Sequence, residues 1–280
     1  MKDYIEIFIE NAIREDIGNG DHTSLATIPE NTVGKAKLII KDSGILAGID
    51  MVQRVFYFID NEINLDIILD DGARVLTNDV AFTVEGKVHS ILKAERLILN
   101  IMQRMSGIAT ETRRYVEKLQ GLKTKVLDTR KTSPGLRFME KEAVRIGGGA
   151  NHRMGLFDMI LIKDNHIDYA GGIAKALKQT QEYLSVQKKK LKIEIEARNL
   201  NDVGTILEIG GIQRIMLDNF SLDDTRKAVE MIKGKFETES SGKITIDNVR
   251  DYAECGVDFV SVGALTHHIK SLDMSLKAYK

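Results

Sequence analysis

The chain of 280 residues holds a single cysteine, Cys255. One thiol can close no internal disulfide and build no cysteine metal cluster, which points to a reducing compartment and a cytoplasmic protein. Cys255 itself, in Tyr252-Ala-Glu-Cys-Gly256, reads as a small buried side chain. No apolar run approaches the ~18 residues of a membrane span. The opening Met-Lys-Asp-Tyr-Ile-Glu is too acidic and too interrupted for a signal peptide. An excess of either charge is missing too: 40 Lys/Arg face 41 Asp/Glu. There is no aromatic-rich basic strip either, so nucleic acid is not an expected partner. The 43% apolar and 29% charged content is that of an ordinary globular protein, long enough for one large domain or two moderate ones.

The near-zero net charge hides an uneven distribution. Residues 1–100 carry 10 Lys/Arg against 17 Asp/Glu, residues 101–165 carry 13 against 7, and the remainder is balanced at 17 each. An acidic first third and a basic middle suggest two regions with different tasks. The local excess of cations suits a small polyanion. Arg130, Lys131, Arg137, Arg145, His152, Arg153 and Lys163 fall within forty residues, interleaved with Gly, Thr and Asn rather than helix formers. Several follow short apolar runs that read as buried strands, where α/β folds place ligand-binding groups.

Periodicity divides the chain further. Tyr4, Ile5, Phe8, Ile9, Ala12 and Ile13 recur at helical spacing, and Gly18-Asn-Gly-Asp21 ends that pattern before an expected loop. Ala36–Ile40, Ile63–Ile68 and Val80–Val84 read as strands, interrupted by a helical pattern over 48–58. Together they predict a small α+β domain over residues 1–105. A strongly helical stretch from Ser90 to about Leu119 follows, with a break expected at Ser106-Gly107. Beyond it, β-type runs begin at Val126, Met159, Ile193, Ile215, Phe236 and Phe259, and the last four advance by 22, 21 and 23 residues. A strand–helix alternation at that period is the signature of a parallel β/α barrel, expected over residues 106–267. The amphipathic residues 268–280 are expected to rejoin the first domain.

In such barrels the reacting groups lie at the C-terminal strand ends, and phosphate often sits on the loops after the last two strands. Those loops here are Glu239-Ser-Ser-Gly-Lys243 and Ser261-Val-Gly-Ala-Leu-Thr-His267, whose small residues let backbone N–H groups approach an anion. Glu194 and Glu196 share one face of their strand. For Glu194, a solvated edge and the barrel interior both stay open. Glu196 and Asp218, nearer the loops, are candidates for Mg²⁺ or sugar hydroxyls. His166, His267 and His268 lack metal-ligand spacing, so no transition-metal site is expected. These features suggest an enzyme holding a phosphorylated sugar beside a second, carboxylate-rich reactant.

The segments Leu127-Asp-Thr-Arg-Lys-Thr-Ser-Pro-Gly-Leu-Arg137, Gly147-Gly-Gly-Ala-Asn-His-Arg153, Ile162-Lys-Asp-Asn-His166, Leu217-Asp-Asn-Phe220, Glu239-Ser-Ser-Gly242 and Val262-Gly-Ala-Leu-Thr-His267 resemble the quinolinate phosphoribosyltransferases. So do Arg14-Glu-Asp-Ile-Gly-Asn-Gly-Asp-His-Thr23 and Glu95-Arg-Leu-Ile-Leu-Asn100. The resemblance implies an incomplete β/α barrel with an N-terminal open α/β sandwich, at least dimeric, making nicotinate mononucleotide, CO₂ and pyrophosphate from quinolinate and 5-phosphoribosyl 1-pyrophosphate with Mg²⁺. It implies that Arg130, His152, Arg153 and Lys163 hold the quinolinate carboxylates, joined by Arg96 of the neighbouring subunit. Lys131 and Lys163 would also face the sugar donor, Thr129 would be among the substrate-binding residues, and Glu196 and Asp218 would take Mg²⁺ or the ribose hydroxyls. Ser241, Gly242, Lys243, Val262, Gly263 and Ala264 would cradle the 5-phosphate. Lys131, Lys163, Glu196 and Asp218 are then the expected catalytic groups. Lys243 departs from the Gly or Asn common there in the family and adds a cation. Competing readings are a nicotinate phosphoribosyltransferase or the molybdenum-transport-associated paralogue on the same scaffold, a Schiff-base aldolase using Lys163, and a phosphate-ligand sensor.

Overall fold

The structure is a computed structural model that describes residues 4–279. In chain order its elements are α1 (Tyr4–Ile17), α2 (His22–Thr27), β1 (Val33–Ile40), β2 (Gly44–Ile45), α3 (Ile49–Ile59), β3 (Asn64–Ile67), β4 (Arg74–Val75), β5 (Val80–Lys87) and α4 (Val88–Lys118). There follow β6 (Lys125–Leu127), α5 (Arg137–Ile146), β7 (Met159–Ile162), α6 (Asp164–Ala170), α7 (Ile173–Val186), β8 (Lys192–Ala197), α8 (Leu200–Ile209) and β9 (Arg214–Asp218). The chain closes with α9 (Leu222–Ile232), β10 (Glu237–Ser241), α10 (Val249–Glu254), β11 (Phe259–Ser261), α11 (Ala264–His267) and β12 (Met274–Tyr279). No helix among the described residues is long and apolar enough to cross a membrane.

Two compact units form. The first takes the chain up to Glu111, then Pro134–Gly147, then the chain from His268 onward. Its antiparallel sheet has the order β12-β1-β5-β3, so the closing segment enters as a strand against β1, with Leu276 opposite Leu38. One sheet face is buried: β1 alternates, turning Ala36, Leu38 and Ile40 inward, as expected of a sheet with one face on the core. Helix α3 buries Ile49, Met51, Val52, Val55 and Phe56, and the Phe56 ring meets Phe82 edge-on at 6.3 Å. Helix α5 belongs to this unit, although its sequence neighbourhood had read as barrel. The short α2 was not expected; Asp21 caps it by accepting the Ser24 N–H.

Helix α4 runs unbroken through Ser106-Gly107, contrary to the break expected there. Both residues serve packing. The Ser106 hydroxyl accepts the Ala47 N–H and donates to the Ala47 carbonyl. A Cβ at residue 107 would lie 2.4 Å from the Lys270 carbonyl oxygen, so only glycine admits that chain.

The second unit, Thr112–Ser133 with Gly148–His267, holds a parallel sheet of order β6-β11-β10-β9-β8-β7. Its six strands are the six runs legible in the sequence. Among the described residues no pairing joins β6 to β7, so the barrel stays incomplete. The central strands are buried along nearly their whole length, as parallel strands covered on both faces must be. Asn199 and Ser221 start α8 and α9 by accepting the N–H groups of Asp202 and Asp224.

Candidate active site

Register brings the strand C-termini to one level: Ser241 pairs with Asp218, Ala197 with Leu217, Ile162 with Ile195, and Ser261 with Leu127. A cavity of about 570 Å³ opens at these ends, within the second unit. Its wall includes Thr129, Arg130, Lys131, His152, Arg153, Lys163, Asp164, Glu196, Asp218, Asn219, Ser241, Gly242, Lys243, Gly263, Ala264 and His267.

The cations come from the loops after β6 and β7 and from the strand-like return at Ala150, which bridges to Leu127. Asp128, fully buried, anchors that return by accepting the His152 N–H at 2.8 Å. The Lys131 loop is held twice: its N–H donates to Thr129 Oγ1, and its carbonyl accepts from the Thr266 hydroxyl. Gly263 allows close approach there, since a Cβ would meet His267 Nε2 at 2.8 Å and Lys131 Cδ at 3.1 Å. Arg153 is 8% exposed and donates to the Met159 carbonyl. Burial, then the Arg130 guanidinium nearby, lowers the Arg153 pKa from its usual value, against Glu194, Asp158 and Glu196. Two guanidinium groups brought this close on one cavity wall favour an anionic ligand.

Carboxylates occupy other strand ends of the same cavity. Glu196 is 3.3 Å from Lys163 Nζ and accepts the Asp164 N–H at 3.0 Å. Asp218 accepts from the Asn219 side-chain amide at 2.7 Å. Next to it the Ser241–Lys243 loop turns through two left-handed residues, Gly242 (φ 93°) and Lys243 (φ 53°).

A second charged group adjoins the cavity, sharing His152 and Glu239 with its lining. Glu194 and Glu239 are both fully buried, and Arg214 Nη1 reaches Glu239 at 2.9 Å and Glu194 at 3.8 Å. The guanidinium also bonds Glu237 and stacks 4.0 Å above the Phe259 ring. Burial pushes both Glu194 and Glu239 up to about 7; the Glu194 carboxylate adds to the rise at Glu239, while Arg214 opposes it at both. His152 Nε2 lies 3.1 Å from Glu194 and 3.6 Å from Glu239, a grouping of metal-ligand type. The other ring nitrogen argues against a metal: Nδ1 accepts the Arg153 N–H at 2.7 Å, so a neutral ring carries its proton on Nε2 and offers no lone pair there.

Of the residues expected at the site, all but two line this cavity. Arg96 is exposed on α4, in the first unit. Val262 is buried and its N–H donates to the Leu127 carbonyl, so that loop offers Gly263 and Ala264 instead. The cationic cluster of the sequence also divides, because Arg137 and Arg145 ride on α5 in the first unit, where Arg145 pairs with Glu142. Glu194 is interior, not a solvated edge. Asp164, Asn219, Glu239, Ser261 and His267 were missed, although Asp164, Asn219, Glu239 and His267 stood inside the segments that carry the resemblance.

The comparisons agree with this architecture. Residues 21–106 match the quinolinate phosphoribosyl transferase N-terminal domain and residues 108–277 its C-terminal domain. Quinolinate phosphoribosyltransferase [decarboxylating] 1b of Nicotiana tabacum is 43% identical over 96% of this chain and 81% of its own length. The chloroplastic nicotinate-nucleotide pyrophosphorylase [carboxylating] of Arabidopsis thaliana is 43% identical over 98% of this chain and 82% of its own. The solved nicotinate-nucleotide pyrophosphorylase of Francisella tularensis superposes with a TM-score of 0.92 at 41% identity, covering 99% of this chain and 96% of that one. With both domains matched in order along nearly all of its length, the chain belongs to the quinolinate phosphoribosyl transferase family.

Proposed function

We propose that this chain transfers the phosphoribosyl group of 5-phosphoribosyl 1-pyrophosphate to quinolinate and decarboxylates the product, giving nicotinate mononucleotide, CO₂ and pyrophosphate for NAD synthesis. One observation carries the reading beyond family likeness. A single cavity gathers Arg130, Lys131, Arg153 and Lys163 for a polyanionic pair of reactants, with Glu196, Asp218 and the Ser241–Lys243 loop suited to a phosphorylated ribose. Its volume is of the size that encloses small ligands.

Quinolinate is a dianion and the sugar donor is more highly charged, so the first task is to overcome their repulsion. The planar guanidinium groups of Arg130 and Arg153 suit bidentate binding of carboxylates. Lys163 bridges the two ends, facing Glu196 as well as the cavity. His152, with both ring nitrogens turned to protein, orients Arg153 and supplies a wall. The pyridine nitrogen attacks the sugar carbon with its own lone pair, and the bond to pyrophosphate breaks; no general base is needed. Alignment and stabilisation of developing charge do the work. Positive charge grows on the sugar beside Glu196 and Asp218, and negative charge on the leaving group beside Lys131. The ribosylated ring, now cationic, accepts the electron pair as the adjacent carboxylate leaves as CO₂, and that carbon takes up a proton.

The hard oxygen donors of Asp218 and Glu196 suit Mg²⁺, which binds one or two carboxylates together with substrate phosphates. When bound there, it would neutralise the diphosphate. Arg96 of the partner subunit would complete the quinolinate site in a homodimer, and the single cysteine favours the cytoplasm.

The test is direct. Purified protein given quinolinate, the sugar donor and Mg²⁺ should release pyrophosphate and CO₂ in equal amounts, with little pyrophosphate when nicotinate replaces quinolinate. No product from quinolinate, or equal use of nicotinate, would refute the assignment.

A further inference from the structure

Asn219 directly follows strand β9 and makes three contacts that tie two parts of the cavity together. Its N–H donates to the Ser241 carbonyl at 2.8 Å, continuing the β9–β10 pairing past the strand end. Its side-chain Nδ2 donates to Asp218 Oδ2 at 2.7 Å. On its other side it abuts Gly242: a Cβ built there would lie 2.4 Å from Asn219 Oδ1 and 3.0 Å from its backbone nitrogen. The amide can face only one way, because a carboxylate accepts and cannot donate. Nδ2 therefore meets Asp218 and Oδ1 meets Gly242.

The backbone supports the same conclusion. Asn219 adopts φ 55°, beside left-handed Gly242 and Lys243 in the next strand's loop. Among non-glycine residues, asparagine tolerates this region best. A residue that both accepts that conformation and donates to a neighbouring carboxylate is hard to replace: aspartate would set a second acceptor against Asp218, and glycine would drop both side-chain contacts.

We propose that Asn219 is a positioning residue that fixes the Asp218 carboxylate in register with the Ser241–Lys243 loop, so that the ribose and 5-phosphate subsites are set as one rigid unit before the sugar donor arrives. The inference rests on the donor-binding role proposed above for this end of the cavity. A carboxylate held by a charge-assisted hydrogen bond loses its rotational freedom in advance, and that ordering cost is not levied on the ligand.

Asn219→Gly isolates the side chain, since glycine keeps the left-handed backbone at no strain. Steady-state kinetics with each substrate varied should show the donor KM raised at least tenfold, the quinolinate KM within twofold of wild type, and the thermal midpoint unchanged. Gly242→Ala should give the same donor-selective defect from the other side of the contact, and Asn219→Asp a larger one. An unchanged donor KM in Asn219→Gly, equal rises in both KM values, or an Asn219→Asp enzyme as good as wild type would each overturn the proposal. Asp218→Asn and Ser241→Ala in the same assay separate the two layers. If neither changes the donor KM, the donor does not bind at this end and both readings fall. If both raise it while Asn219→Gly does not, only the positioning role falls.

Discussion

Replacing Arg214 by methionine is the sharpest stability test the fold offers. The side chain is 13% exposed, its Nη1 lies 2.9 Å from Glu239 and 3.8 Å from Glu194, and both carboxylates are fully buried. At roughly 4 Å between charge centres and an effective dielectric of about 20, each such pair is attracted by about 4 kcal/mol. That gross figure is not what the variant loses, because removing the guanidinium also removes its own desolvation penalty. What remains is the strain of two buried acids with no cation, and breaking a buried pair from one side typically costs about 3–5 kcal/mol. Methionine conserves much of the aliphatic bulk against Phe259, so the loss should be mostly electrostatic, plus about 1 kcal/mol for the vanished stacking.

Urea unfolding followed by circular dichroism at pH 7.5 is the assay. Arg214→Met should lose about 3–5 kcal/mol at an unchanged m-value. Adding Glu239→Gln removes one of the stranded charges and should return about 2 kcal/mol, so the two substitutions would couple strongly in a double-mutant cycle. A loss below 1 kcal/mol for Arg214→Met, or a double variant less stable than the single, would show that Arg214 does not neutralise this pair.

Four further outcomes follow. Glu194 and Glu239 hold protons up to about pH 7 when folded, against 4.5 ordinarily. A raised folded pKa means stability that is complete below about pH 4.5 and is lost as pH rises through about 7, so wild type should weaken across that window relative to Glu239→Gln, and parallel curves would refute it. Arg153→Ala should raise the quinolinate KM by more than tenfold while the donor KM changes little; equal effects on both would remove the carboxylate role. Arg96→Ala mixed with Lys131→Ala should regain about a quarter of wild-type activity if sites are shared between subunits, since random dimers place both defects in one site half of the time; no recovery on mixing would argue for sites built from one chain. Lys243→Asn should add about 0.5–1 kcal/mol by relieving the left-handed lysine, yet raise the donor KM through the lost cation; a less stable variant would mean the lysine side chain contributes to the fold.

Much of this was legible from spacing. The six barrel strands, the acidic carboxylates at the ends of β8 and β9, and the cations at the exits of β6 and β7 are local features, each announced by a short apolar run and the polar residue that ends it. Periodicity failed where a residue's reason lies in another part of the chain. Ser106-Gly107 reads as a helix break because serine and glycine lower helix propensity. It is helical because Ala47 and Lys270 pack on that face, and no window of sequence contains both partners. Helix α5 was misplaced for the same reason: its neighbours in sequence are barrel residues, yet it clusters with the first unit.

The buried cluster shows the limit most clearly. Glu237-Thr-Glu239 belongs to a β-type run whose two acids share one face, yet Glu239 is fully buried and Glu237 half-exposed beside the same guanidinium. Alternation gives the shared face but not its environment, because in a barrel the inward face is the core. Acids belong there only if a cation is supplied, and Arg214 comes from the start of the adjacent strand, where register sets it opposite both Glu194 and Glu237. Pairing across strands is what makes those acids tolerable, and register is not written in either strand alone. The same holds at the other end of β9. Asp218 could be picked out as a strand-end carboxylate, but what orients it is Asn219, whose strained backbone is explained only by Ser241 and Gly242 of the next loop. The groups proposed to do chemistry were therefore visible one at a time, and the groups that hold them in place became visible only in pairs.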